Sequence, residues 1–184
     1  MPSIYLSPSV QEFNPYITGG NEEYYMNLIA DAMAPYLIAS GIRFHRNNPG
    51  DTLTQIIDQS NAGDYDLHLA LHSNASPENM AGALQGPDVY YYAFRQDAGR
   101  AADIIAGNLE MIYPNPSLVT VIPNTTLPEL RLTEAPAVLV EVAYHDNYED
   151  ANWIISSVNA IGRNLALSVA EYLGVPFREP NVMV

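Results

Sequence analysis

Apolar and polar positions follow two periods along the chain, and the switches between them outline alternating strands and helices. Leu67, Leu69 and Leu71 fall on one face of a strand over residues 66–72, with His68, Ala70 and His72 on the other. Ile4 to Leu6 reads as a short buried strand entering a loop rich in Ser, Pro and Gly. From Asn21, Met26, Ile29, Ala30, Met33, Tyr36 and Leu37 recur at three- and four-residue steps, the pattern of an amphipathic helix. Pro35 is expected to kink that helix and Gly41 to end it. Further strands are expected at 42–46 and 89–94, and further helices at 52–60, about 98–112 and about 153–173, the last in one or two pieces. Residues 73–87 and 113–127 read as loops, the second with three prolines. An apolar run, Pro136-Ala-Val-Leu-Val, enters Glu141. Strand and helix alternate, which favours an α/β layered sheet.

With 184 residues and no internal repeat or linker, the chain reads as one domain over residues 1–177, followed by a loose tail at 178–184. A formal charge of −14, from 21 acidic and 7 basic residues, argues against nucleic acid as a partner, because phosphate recognition needs clustered Lys and Arg. Cysteine is absent, so a disulfide, a thiolate nucleophile and a sulfur-ligated metal are excluded. Any metal site must draw on His, carboxylates or amide oxygens. The N-terminus lacks the basic start and apolar stretch of a signal peptide, and no run reaches the length of a membrane span. The chain is therefore expected to be made in the cytoplasm and to act elsewhere only if released.

Three positions carry candidate chemistry. His72 ends its strand, where open α/β sheets place their ligands, although a histidine there also serves as an ordinary hydrogen-bonded residue. His68 and His72 have the spacing of two ligands on a helix, but on a strand rising roughly 3.3 Å per residue the rings lie about 13 Å apart, so His68 is read as structural. Glu22 and Glu23 begin the first helix, where carboxylates serve the helix dipole. Glu22 is in register with the buried face and Glu23 with polar Asn27 and Asp31, so Glu22 points inward. Glu141 emerges from a buried strand, which is costly without a cation, a metal or a donor beside it. An ion pair with Arg131 is the structural alternative.

Together, the segments Asp66-Leu-His-Leu-Ala-Leu-His-Ser-Asn-Ala75, Gly86 through Tyr90-Tyr91-Tyr92, and Leu130-Arg131 to Ala135-Pro-Ala-Val-Leu-Val-Glu141-Val-Ala-Tyr-His-Asp-Asn147 with Glu149-Asp150 resemble the zinc-dependent N-acetylmuramoyl-L-alanine amidases. The resemblance runs in order from Ile4 to Leu173. It implies a single α/β domain with a mixed, mostly parallel sheet flanked by helices on both faces, and zinc (Zn2+) as cofactor. It implies hydrolysis of the amide between the lactyl group of N-acetylmuramic acid and L-alanine, with peptidoglycan as partner, in cell-wall lysis or remodelling. His72 and Glu22 become zinc ligands, Glu141 the catalytic carboxylate, and Asn74 and Arg131 neighbours of the substrate. The chain departs from the family after its first strand. Where the family carries an Asp-Pro-Gly-His-like turn whose histidine binds zinc, this chain reads Ser7-Pro8-Ser9-Val10-Gln11, with Val10 at the histidine's place. Gln11, through its amide oxygen, and His145 are the candidate replacements, with water or a failed site as the remaining outcomes. That gap motivates a second function, a peptidoglycan-binding module with a decayed metal site, and a third is a metallopeptidase acting on another amide, since zinc with a carboxylate base serves any amide.

Overall fold

Leu67, Leu69 and Leu71 are fully buried and seat the strand Leu67–Asn74 (β3) near the middle of a six-stranded sheet. The computed structural model describes residues 1–180. The remaining elements are β1 (Ser3–Pro8), α1 (Glu22–Ala39), β2 (Arg43–Arg46), α2 (Leu53–Asn61), β4 (Asp88–Tyr92), α3 (Gln96–Glu110), β5 (Thr120–Asn124), α4 (Pro128–Leu132), β6 (Ala137–Tyr144) and α5 (Tyr148–Leu173). The sheet order is β2-β1-β3-β6-β4-β5. Strands β2, β1, β3 and β6 run parallel, and β4 joins β6 antiparallel with β5 parallel to it, so the sheet is mixed and mostly parallel, as expected.

The larger core lies between one face of the sheet and α1, α3 and α5. There Ile4, Leu6, Val138, Val140 and Val142 meet Met26, Ile29, Met33, Ile105, Leu109, Ile161 and Leu165. Close approach of α1 to α5 needs Gly162, where a Cβ would stand 2.6 Å from the Cβ of Ala32. The other face is covered by α4, with Leu130 packed against Ala70, Ala137 and Leu139. That arrangement leaves His68, His72 and Glu141 on the thinner side of the sheet, with His72 and Glu141 toward the end where the parallel strands finish and His68 near the start of β3.

Helix α1 runs through Pro35 to Ala39, with Pro35 on an exposed turn. The proline-containing edge strand β5 occupies ground expected to be loop, and the five-residue α4 follows it, where no element was expected. Helix α5 is a single 26-residue helix that starts at Tyr148, because Asn147 caps it by accepting from the N–H groups of Glu149 and Asp150. Beyond α5, Arg178 N–H donates to Ser40 Oγ at 2.9 Å and Glu179 accepts from Arg163 Nε at 2.8 Å, so the start of the expected tail is tied to the body. Residues 181–184 of that tail lie outside the described residues. Among the described residues, no helix is long and apolar enough to cross a membrane.

Candidate active site

The site is assembled at the carboxyl ends of β1, β3 and β6 and the amino end of α1. Strands β3 and β6 pair in parallel with His72 opposite Glu141, which sets an imidazole beside a carboxylate on one face. Asn21 caps α1 by accepting from Tyr24 N–H at 2.8 Å, and the helix's first residue, Glu22, turns inward and is 1% exposed. Gly20 makes the preceding turn at φ 81°, and a Cβ there would stand 2.7 Å from the Tyr25 ring.

Glu22 Oε1 lies 2.8 Å from His72 Nδ1, and Gln11 Nε2 lies 3.2 Å from the same ring nitrogen. Asn14 Nδ2 links the two partners, donating to Gln11 Oε1 at 3.0 Å and to Glu22 Oε2 at 2.6 Å. The loop after β1 therefore delivers Gln11 to the place where Glu22 and His72 meet. Burial pushes the Glu22 carboxyl up, but His72 and Asn14 outweigh it and hold the group below its ordinary range. Burial would lower the His72 ring, yet Glu129 and Glu22 beside it hold it well above the usual histidine value.

Glu141 sits on the other side of His72. Among the described residues its Oε2 is buried with no hydrogen-bond partner. Burial raises its carboxyl to about 7, with His72 pulling down and Glu22 and Asp88 pushing up. A carboxylate poised near neutrality and lacking a fixed partner is suited to take up and release a proton. It opens into a pocket of about 330 Å³ whose walls include Ser7, Ser9, Val10, Gln11, His72 and Glu129.

Glu129 went unnoticed in the sequence. It is carried by α4, is 5% exposed, and accepts from Ser7 Oγ and, at 2.9 Å, from His68 Nε2. Its second oxygen lies 3.7 Å from His72 Nε2, an ion-pair contact longer than a hydrogen bond. Burial raises Glu129, and His68 and His72 more than reverse this, leaving it far below the ordinary carboxylate range. The available signal was Pro128, which suits a helix's first turn, followed by an acidic residue. His68 and His72 thus share one carboxylate through side chains that lean toward it.

The remaining expected residues fall elsewhere. His145 is 5% exposed, its Nδ1 lies 2.8 Å from the Ser73 carbonyl and 3.0 Å from Ser73 Oγ, and its ring stacks on Tyr16 at 5.4 Å. It does not border the pocket. His145→Ala is expected to leave metal content unchanged and to cost about 1–3 kcal/mol of stability by stranding polar partners; elemental analysis and urea denaturation check both parts. Asn74 donates to Asp88 Oδ2 at 3.2 Å, and Arg131 is exposed on α4 with no ion pair to Glu141 among the described residues. Neither borders the pocket.

Among the described residues, no three His, Cys, Asp or Glu side chains are arranged to hold a metal ion. A third protein ligand beside Glu22 and His72 would have to be a neutral donor, and the Gln11 side chain lies next to His72. The amide nitrogen of Gln11 faces His72 while its Oε1 accepts from Asn14, so a metal would need the amide turned to present Oε1. With that oxygen, one imidazole nitrogen, one carboxylate and one amide make up the donor types of a three-ligand catalytic zinc site, with the amide as its weak member.

The sequence profile of a family described as N-acetylmuramoyl-L-alanine amidase matches residues 13–171. No curated protein matches in sequence. Among solved structures, the N-acetylmuramoyl-L-alanine amidase AmiC2 of Nostoc punctiforme is similar at a TM-score of 0.80 and 18% identity, over 94% of this chain and 97% of that one. The catalytic domain of CwlV, an N-acetylmuramoyl-L-alanine amidase from Bacillus (Paenibacillus) polymyxa var. colistinus, is similar at 0.81 and 18%, over 96% and 100%. The amidase Ami1 from Mycobacterium smegmatis is similar at 0.80 and 14%, over 94% and 97%. At these identities the structures establish the fold.

Proposed function

Because this chain belongs to the N-acetylmuramoyl-L-alanine amidase family, we propose that it hydrolyses the amide joining N-acetylmuramic acid to L-alanine in peptidoglycan, using a zinc ion held by Gln11, Glu22 and His72. The observation that carries this reading is that Gln11 Nε2 and Glu22 Oε1 both meet His72 Nδ1, while Glu141, whose Oε2 has no hydrogen-bond partner among the described residues, stands opposite His72 in the strand register. Zinc, when bound, supplies Lewis-acid polarisation of a water and of the scissile carbonyl. Glu141 accepts the proton of the attacking water as its oxygen bonds to the carbonyl carbon. It then delivers that proton to the amide nitrogen as the C–N bond breaks, and L-alanine leaves as a free amine. Val10, Leu53, Ile56 and Leu139 give the pocket apolar walls that limit competing water. Asn74 and Arg131 remain candidates for contact with the more distant parts of the glycan-peptide.

Release of soluble fragments from purified cell wall is expected to stop after dialysis against a chelator and to return when zinc is restored. Digestion that a chelator leaves untouched would contradict the metal part of the proposal. A neutral amide in place of a histidine also motivates a second reading, a wall-binding module with a weakened metal site. Protein that co-sediments with cell wall, holds no zinc and releases nothing supports that alternative.

A further inference from the structure

We infer that Glu129 is a positioning residue for His72, holding the imidazole so that Nδ1 faces Gln11 and Glu22. The inference rests on His72 being a metal ligand as proposed above. A histidine that binds a metal through one ring nitrogen carries its proton on the other, and an oriented acceptor for that N–H fixes both the tautomer and the ring angle. Here Nδ1 faces the Glu22 carboxylate and the Gln11 side chain, and Glu129 Oε2 is the carboxylate oxygen at ion-pair distance from Nε2, 3.7 Å, which a small shift of the ring on metal binding would close to a hydrogen bond.

Glu129 is itself built in. Its Oε1 accepts from both Ser7 Oγ and His68 Nε2, which leaves Oε2 for His72. His68 can donate from Nε2 because its Nδ1 lies 2.9 Å from Ser60 Oγ, whose hydroxyl supplies the opposing hydrogen. The His68 ring is fully buried and stacked on Tyr5 at 5.3 Å. A chain of side chains from α2, β1 and β3 therefore fixes a carboxylate on α4 against the outer side of the candidate ligand. A purely structural Glu129 needs only Ser7 and His68.

The test is zinc affinity by competition with a chelating dye, on wild-type protein, Glu129→Gln and Ser7→Ala, together with the visible spectrum of the cobalt(II)-loaded proteins. Glu129→Gln keeps the side chain's shape and removes its charge. It is expected to weaken zinc binding about 10–100-fold, the range typical for partners behind a metal-bound histidine, and to shift the cobalt bands. Ser7→Ala keeps the carboxylate but frees one of its anchors, and should give a smaller loss in the same direction even if Glu129→Gln does not fold. Wild-type zinc affinity and an unchanged cobalt spectrum in the folded variants would overturn this inference alone. Wild-type protein that takes up no zinc would overturn it together with the proposed metal site.

Discussion

Glu141→Gln is expected to lower kcat on cell wall by about 10²–10⁴-fold, the usual worth of a positioned general acid-base, while making the metal-free protein more stable at alkaline pH. Both effects have one origin. Burial lifts the Glu141 carboxyl from its ordinary 4.5 to about 7. Between those two values the folded protein keeps a proton that the unfolded chain has released, so stability falls as pH rises across that window and the full cost is present above it. A gap of this size corresponds to about 3 kcal/mol, as an order of magnitude. Glutamine fills the same space without a charge to desolvate. Urea denaturation at pH 8 should therefore show the metal-free variant more stable than wild type, with the difference shrinking toward pH 4.5. A variant no more stable at pH 8, or one that keeps wild-type kcat, would remove Glu141 from the role given to it.

The second large effect concerns the loop after β1. Gln11→Ala removes the proposed third donor and should weaken zinc binding by at least about tenfold, roughly 1.4 kcal/mol. Glu22 and His72, still 2.8 Å apart, would be left as an ion pair. Val10→His tests the same geometry in the opposite direction, because imidazole nitrogen is a better zinc donor than a neutral amide. Val10 borders the pocket next to Gln11, and an added imidazole there should tighten zinc binding. Zinc content unchanged in Gln11→Ala would dismiss Gln11 as a ligand and return the third position to solvent.

The parts of this arrangement that were legible in the sequence are those with strong periodicity. Alternating leucines mark β3 and its two faces, and the helical repeat from Met26 to Leu37 places Glu22 on the inward face, where the structure has it. The apolar run into Glu141 marked β6, although the pairing that sets Glu141 opposite His72 depends on strand register, which a single strand does not encode. Gln11 was reached by comparison with the resembled family, but its contact with His72 comes from a loop without periodicity.

Helix α4 and strand β5 were hidden for a related reason. A five-residue helix and a proline-containing edge strand have too few turns or alternations to stand out from loop. With α4 went Glu129, the acid that joins His68 to His72. The Asn147 cap two residues before Glu149 was a readable start for α5, and its weight exceeded that of the apolar pattern beginning at Trp153.

The most direct test of the account is the identity of the bond that is cut. Purified peptidoglycan digested with the zinc-loaded protein should yield new L-alanine amino termini in step with solubilisation, and Glu141→Gln should release them at least about 10²-fold more slowly. Solubilisation with new amino termini from any other residue, or with no new amino termini, would contradict the assignment of this site to the muramoyl-L-alanine amide.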